Sequence, residues 1–410
     1  MFINVSHSLK KLSTYFPEHL YVVGGYVRNQ LLKIKSGDVD LASSVDIEQV
    51  SKRLEGSGFS VKIKNLKTGS LLISNGNENY EYTMFRRDVY ESDGSHSPLR
   101  VERTARIEED AERRDFSINA IYYDINTDEV TDLYHGIIDL KDRIIRTVQS
   151  PEEVLQFDGE RILRLVRIAG ELNFEIEKNT FKTAREYSSN VKNLNGNRKF
   201  SEIDKILYCD KRYNVGKKSL KRALLLLNKL GVWGYFDLSK NYVKYKMVYR
   251  VEDRFLGLLI DIINTNKPAC LESFLERFLM QEFSVNEANE RKIFTYLGGY
   301  FEALSGMNNK QYFLKYFADW AKISSLVGGR SKRLQAKYNF YYKYIIEHEL
   351  VVEKENLKID EAAIKKAFPK LDERCYDRIL QNLLSKVFDE KLENSKKALL
   401  AEIEKNLQNY

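Results

Sequence analysis

Residues 22–40 read VVGGYVRNQLLKIKSGDVD: an apolar run ends in two glycines, an arginine follows, and two aspartates stand one residue apart. LYVVG (20–24) predicts a strand, YVRNQLLK (26–33) a helix behind the glycines, and DVDLAS (38–43) a second strand. A strand ending in Gly-Gly before a helix leaves backbone N–H groups free at the helix start. The missing Cβ atoms there let a phosphate approach. Arg28, near the start of that helix, can fork onto phosphate oxygens. Alone, such a turn is more often plain backbone geometry.

The carboxylates are the more specific sign. Residues i and i+2 of a strand point the same way, so Asp38 and Asp40 share a face, with Val39 turned to the core. Two carboxylates on one face repel unless a cation lies between them. Mg²⁺ takes one or two protein carboxylates and completes its octahedron with phosphate oxygens and water. A pair of such ions activates an attacking hydroxyl and stabilises a leaving pyrophosphate. Turn and strand are therefore read as one site, for a nucleoside triphosphate with its magnesium. In YEYTMFR (80–86), Glu81 shares a face with Thr83 and Phe85. It is a third acid, for the metal or for the proton of the attacking hydroxyl; an exposed strand residue is an equal alternative.

The remaining sequence bounds the setting. The 410 residues exceed one small core, so two or more domains are expected. Apolar content of 43% supports globular folding, and 30% charged residues of mixed sign exclude wholesale disorder. A net charge of +7 suits a polyanionic partner. Cys209, Cys270 and Cys375 have no CxxC spacing and read as free thiols of a reducing cytoplasm. No apolar run approaches the ~20 residues that a bilayer requires, and the N-terminus lacks a signal-peptide core, so no membrane role is expected. The five histidines are dispersed, without zinc spacing.

Stretches 59–64, 69–74 and 79–85 alternate as half-buried strands do, and AIYYDINTDEVTDL (120–133) reads as a hairpin through Asn126-Thr127-Asp128. Residues 87–104 are polar and turn-rich and are expected to form a mobile loop. From about 150 onward apolar residues recur at three- and four-residue steps, as in helices. LVGGRSKR (326–333) repeats the double glycine without a following DxD, and reads as a helix C-cap and turn. Residues 210–250 carry eleven Lys/Arg against two Asp, with five tyrosines interleaved. Such a face offers phosphate contacts, most clearly near 211–222, and stacking for unpaired bases.

Five motifs stand in order: GGYVR, DVD, RRDFSINAIYYD (113–124), DLYHGIIDLKDRIIR (132–146) and FDGERILRLVRIAGELNF (157–174). Together they resemble the nucleotidyltransferases of the polymerase-β superfamily, specifically class II CCA-adding enzymes and the related bacterial poly(A) polymerases. The resemblance covers roughly residues 18–207. It implies an α+β fold: a nucleotidyltransferase head with a small mixed β-sheet (1–150), a helical neck (151–207), and a helical, RNA-binding body and tail (208–410). It implies that Gly25 and Arg28 hold the triphosphate and that Asp38 and Asp40 hold Mg²⁺. Arg114 would contact the nucleotide, and Asp115 would support the ribose region or cap a helix start.

The last motif is similar to the family's EDxxR helix. An ionised Asp only accepts hydrogen bonds and an Arg only donates. The pairing edges of cytosine and adenine each offer an amino donor beside a ring-nitrogen acceptor, and those of uracil and guanine present the reverse order. Asp158 and Arg161, neighbours at i,i+3, would therefore accept C and A and reject U and G by ~10⁴-fold. Arg164 and Arg167 would face phosphate. Three positions depart from the pattern: Phe157 replaces a Glu that orients the base-reading pair, Asn29 replaces an Asp, and Lys33 a Gly. Arg198 and Glu202, in NRKFSEIDKIL (197–207), stand where an i,i+4 pair forms. RFLGLLIDIIN (254–264) has Ile260 where a phosphohydrolase relative requires a metal-binding His, so no hydrolase activity is expected.

The implied activity is template-independent addition of CCA to tRNA 3′ ends from CTP and ATP, in the cytoplasm, with no obligate protein partner. The alternatives are poly(A) synthesis or partial (CC-only or A-only) addition, which Phe157 leaves open, and a non-catalytic RNA-binding protein, which the intact Asp38–Asp40 pair disfavours.

Overall fold

The computed structural model describes residues 3–35, 37–89 and 100–410, without the side chains at 310 and 409. Its chain forms two compact units, one of Met1–Lys244 with Ile262–Val285, the other of Tyr245–Asp261 with Asn286–Tyr410.

The first unit is built on a sheet of β1 (Tyr21–Val23), β2 (Val39–Ser43), β3 (Ser60–Asn65), β4 (Ser70–Ser74), β5 (Asn79–Met84), β8 (Ile121–Asp124) and β9 (Val130–Asp132). The strand order is β3-β4-β5-β2-β1-β8-β9. The sheet is mixed: β2 and β5 run parallel, while β1 pairs antiparallel with both β2 and β8. This register sets Asp40 directly opposite Glu81. Between β1 and β2 runs α2 (Gly25–Leu31), as the glycine turn predicts. Leu41, Ala42 and Ser43 are buried, but Val39 is only half-buried because β2 begins there, at the rim of the sheet.

The expected loop at 87–104 is a correction. Its ends are strands, β6 (Arg86–Val89) and β7 (Arg100–Arg103), paired antiparallel from Arg86↔Arg103 to Val89↔Arg100. A polar composition concealed a two-stranded ribbon whose covered face carries the Arg86–Asp88 ion pair rather than apolar side chains. Residues 90–99 of that stretch lie outside the described residues.

Helices follow the sheet. They include α6 (Pro151–Leu155), entered through a Ser150/Glu153 capping box, and α7 (Gly159–Leu172), capped by the Asp158 side chain. In α7 the apolar residues Ile162, Leu163, Leu165, Val166 and Ala169 are buried. Arg161, Arg164 and Arg167 recur every third residue, so they form one stripe on the remaining face. Against α7 lie α9 (Gly196–Leu207), the short α10 (Cys209–Arg212) and α11 (Lys217–Lys229).

The second unit is helical among the described residues. Tyr312, Phe313, Trp320 and Tyr338 pack ring against ring, with centroids 4.6–6.0 Å apart. A separate cluster includes Ile379, Leu383, Leu399 and Ile403, the last two from the amphipathic C-terminal helix Lys396–Lys405. The second double glycine lies inside the helix Trp320–Arg330 rather than past its end. A Cβ at Gly328 would stand 2.3 Å from the Gln335 side chain and one at Gly329 2.6 Å from Val251, so close packing accounts for both glycines. Asp261 accepts the backbone N–H groups of Lys246, Met247 and Val248 at 2.8–3.1 Å, which gives that buried carboxylate a structural task. No helix of the described residues is long and apolar enough to cross a membrane.

Gly159 fixes the start of α7 against the chain at 190–191: a Cβ there would lie 2.4 Å from the Asn190 carbonyl oxygen. Backbone cannot yield as a side-chain tip can. Gly159→Ala is therefore expected to destabilise the first unit by about 1–3 kcal/mol, seen as a lowered thermal midpoint; an unchanged midpoint would contradict this packing.

Candidate active site

A cleft of about 490 Å³ in the first unit gathers Gly25, Arg28, Asp38, Asp40, Glu81, Arg114, Asp158, Arg161, Arg164 and Arg167, every site residue expected from sequence.

The floor is the glycine turn. Gly24, not Gly25, carries the conformational demand: its φ is +76°, and a Cβ there would stand 3.4 Å from Asp40 Oδ2. Arg28 is buried. Its Nε and Nη2 donate to Asn29 Oδ1 at 3.0 and 2.9 Å, Nη1 to Asn119 Oδ1 at 2.8 Å, and Nη2 to the Tyr213 hydroxyl at 3.3 Å. Burial lowers its pKa from the ordinary arginine value.

Asp38 stands just before β2 and is 89% exposed. Asp40, two residues on, has no hydrogen-bond donor among the described residues. Burial by the cleft walls pushes its carboxyl up; Arg114 offsets this in part, while Glu81 and Asp38 add repulsion. Its surface stays open on the cleft side, while the surrounding walls supply the desolvation. Glu81 is held by Lys64 at 2.9 Å. No group of three His, Cys, Asp or Glu side chains converges tightly enough to hold a metal by itself among the described residues. The donor set is two hard carboxylates with an open side, which fits Mg²⁺ completing its shell from phosphate and water.

The arginine wall rests on buried carboxylates. Arg114 donates to Tyr122 Oη at 2.7 Å and to Asp110 Oδ2 at 2.9 Å; Arg113 also binds Asp110, at 2.7 Å. Asp110 was not singled out from sequence, although its i,i+3 and i,i+4 spacing to Arg113 and Arg114 was visible. Asp115 accepts Arg164 Nε at 2.8 Å, Asn119 Nδ2 at 3.1 Å and the Phe116 N–H at 2.8 Å, within a 3₁₀ turn over Ser117–Asn119. Burial pushes Asp115 up, but Arg164 and these hydrogen bonds outweigh it and hold it well below the carboxylate range.

Asp158 and Arg161 are neighbours as expected, with Nε 3.4 Å from Oδ2. Asp158 is fixed by the Glu160 N–H at 2.9 Å. Arg161 is fixed by the carbonyls of Val154 at 3.2 Å and Arg113 at 2.6 Å. Arg164 and Arg167, both expected to face phosphate, line the cleft; Arg164 is paired with Asp115, and Arg167 is clasped by Glu202 at 2.7 Å and Glu171 at 3.1 Å. The expected Arg198–Glu202 pair is not formed: Arg198 binds Glu160, and Glu202 serves Arg167 and Lys205. Buried Arg167 outcompeted the more exposed Arg198 for Glu202. Arg212 and Tyr213, previously grouped only with the basic stretch 210–250, also line the cleft.

Residues 20–146 match the family described as the Poly A polymerase head domain, and residues 173–216 match the probable RNA and SrmB-binding site of polymerase A. Over these residues the chain is similar to the nucleotidyltransferases that include CCA-adding enzymes and poly(A) polymerases. Its relatives include the CCA-adding enzymes of Streptococcus gordonii, 38% identical over 188 residues, and Streptococcus mutans, 37% identical over 188 residues. Each match covers 46% of this chain, and the chain spans under half, 45%, of each relative. Similar folds include the Bacillus stearothermophilus CCA-adding enzyme in complex with CTP, with a TM-score of 0.68 and 21% identity over 98% of this chain and 97% of that one. The Thermotoga maritima CCA-adding enzyme complexed with tRNA_CCA gives a TM-score of 0.62 at 18% identity, over 98% and 96%.

Burial pushes the Asp110 carboxyl up, but Arg113, Arg114 and the Tyr122 hydroxyl outweigh it and hold it well below the usual range. Its pairing therefore contributes stability that is complete above the unfolded pKa, about 4, and is lost as pH falls toward the folded value. Asp110→Asn leaves two guanidinium groups without their buried carboxylate. It is expected to cost about 3–5 kcal/mol near neutrality and to flatten the acid limb of a stability-versus-pH profile below pH ~4. A variant with an unchanged acid limb would show that Asp110 is not the balancing charge.

Proposed function

We propose that this chain is a template-independent nucleotidyltransferase that rebuilds the CCA end of tRNA from CTP and ATP. One observation carries the proposal: the Asp158–Arg161 pair opens into the same cleft as the Gly24–Gly25 turn and the Asp38–Asp40 pair. Base selection and phosphate chemistry therefore meet in one volume.

In this reading Gly25, Gly24 and Arg28 hold the triphosphate, and Asp38 and Asp40 hold Mg²⁺. Bound there, the metal would supply the Lewis acidity that activates a 3′-hydroxyl and eases departure of pyrophosphate. Glu81, opposite Asp40, takes part once Lys64 releases it, as a further metal ligand or as proton acceptor. Arg114, anchored by Asp110, lies beside the turn: its Nη1 would be 3.9 Å from a Cβ on Gly24. It is assigned to the nucleotide. Asp115 orients Arg164 toward the ribose and phosphate side. Arg167 acts from behind, as a buried strut.

Base choice is assigned to Asp158 and Arg161. The Glu missing at 157 is compensated by backbone: a helix cap fixes Asp158, and two carbonyls fix Arg161. This favours full CCA addition over the partial and poly(A) alternatives. The head (1–150) performs the chemistry, the neck (151–207) reads the base, and 208–410 grips RNA. On α11, Lys217, Lys218, Lys221 and Lys229 are exposed and spaced for phosphate contacts. A cytoplasmic setting is part of the proposal.

The test uses tRNA transcripts ending before CCA, after C and after CC, each with Mg²⁺ and single or mixed nucleoside triphosphates, sized at one-nucleotide resolution. Extension should stop at CCA and use only CTP and ATP. Asp38→Ala should reduce it by roughly 10²–10³-fold. Arg161→Ala should relax selection against UTP from about 10⁴-fold toward parity. Long A tails, or products halted at CC, would overturn the CCA assignment in favour of a sister activity.

A further inference from the structure

Arg212 is held unlike the other arginines of the wall. Arg114, Arg164 and Arg167 meet buried carboxylates at 2.9, 2.8 and 2.7 Å. Arg212 lies 3.4 Å from Asp38 Oδ2 and 3.8 Å from Glu171 Oε1, with 43% of its side chain exposed. Its base, in contrast, is anchored. It closes α10, and the next residue, Tyr213, accepts from Asn29 Nδ2 at 3.0 Å and from Arg28 at 3.3 Å. The Arg212 guanidinium lies 5.7 Å from the Tyr213 ring centroid. A fixed stem and a loosely held tip sit beside the phosphate turn.

The partner matters as much as the distance. Asp38 is a carboxylate proposed to ligate the metal, and an exposed ion pair contributes little. A divalent ion would displace this one readily. The guanidinium would then keep only Glu171, distant at 3.8 Å and shared with Arg167, which binds it at 3.1 Å. The anion that arrives with the metal is the triphosphate, and a planar guanidinium forks well onto phosphate oxygens.

We infer that Arg212 is a positioning residue: it occupies the cation side of Asp38 in the empty cleft and passes to the triphosphate when the metal–nucleotide complex enters. It thereby screens Asp38 from Asp40 before loading and clamps the nucleotide afterwards. This inference rests on the assignment of Asp38 to the metal.

The test measures Mn²⁺ binding to nucleotide-free protein by the electron paramagnetic resonance signal of the free ion, and CTP binding in Mg²⁺ by titration calorimetry. Arg212→Ala and Arg212→Gln should each tighten Mn²⁺ binding by roughly two- to fivefold and weaken CTP binding by roughly tenfold. Arg212→Lys should return both toward the parent. A merely structural role would weaken both ligands together, and that result, or unchanged Mn²⁺ affinity in the Ala and Gln variants, overturns the inference. Asp38→Ala separates the two levels: if parental Mn²⁺ binding survives it, the metal assignment itself fails and the role of Arg212 falls with it.

Discussion

Charge balance inside one cleft governs this head and neck. The described lining carries eight arginines and eight acids, so its attraction for an anion cannot come from net charge and must come from arrangement. Guanidinium groups taken out of water need matched acceptors. Asp110, Asp115 and the Glu171–Glu202 pair supply them from behind, each fixing the arginine in front of it. The pairs are spread over a helix end, a 3₁₀ turn and two neck helices, so the balance exists only when sheet and neck are both folded. Asp40 is the exception, a crowded carboxylate to which no described donor is bound. Arg113, Arg114, Arg164 and Arg167 are balanced internally, whereas this acid stands open, which is the arrangement the proposed metal assignment uses.

Two periodicities place these charges. Parallel pairing of β2 with β5 brings Asp40 opposite Glu81 from strands about forty residues apart in sequence. The three-residue recurrence of arginine on α7 keeps Arg161, Arg164 and Arg167 on the stripe not used by Ile162, Leu165 and Val166. The apolar face of α7 is almost fully buried, which locks its rotation and hence the direction of that stripe. Helix rotation, more than any single hydrogen bond, aims Asp158 and Arg161 into the cleft.

Local signals were the legible ones. The Gly-Gly turn, the alternating strands and the Asp158–Arg161 spacing each depend on residues within a few positions, and each was readable from sequence. What was hidden depends on competition between distant groups. Arg198 and Glu202 have good i,i+4 spacing, yet Glu202 is taken by Arg167 from another helix, because a buried guanidinium gains more from a carboxylate than an exposed one does. Arg212 and Tyr213 lie in a basic stretch that composition assigns to a surface, and only the packing of α10 on α7 brings them to the cleft. The β6–β7 ribbon was missed because neither of its faces is apolar, and hydrophobic alternation is the signal by which strands are found.

Asn29 shows how a departure from the family pattern can sharpen a site. An aspartate there would accept the same two Arg28 N–H groups while cancelling the arginine's charge. The amide accepts both through Oδ1 and uses its Nδ2 to donate to the Tyr213 hydroxyl, which a carboxylate cannot do. Among the described residues Arg28 is thus bound by neutral groups alone: Asn29, Asn119 and Tyr213. Its hydrogen bonds are met but its charge is not, and burial lowers its pKa accordingly. A buried cation satisfied in geometry and uncompensated in charge is preorganised for an anion, since binding one requires no ion pair to be broken first. The same exchange ties Tyr213, and through it the base of Arg212, to the helix behind the glycine turn. The neutral residue at 29 therefore leaves the charge on Arg28 free and ties the glycine-turn helix to the segment just after α10, at the place where a triphosphate would lie.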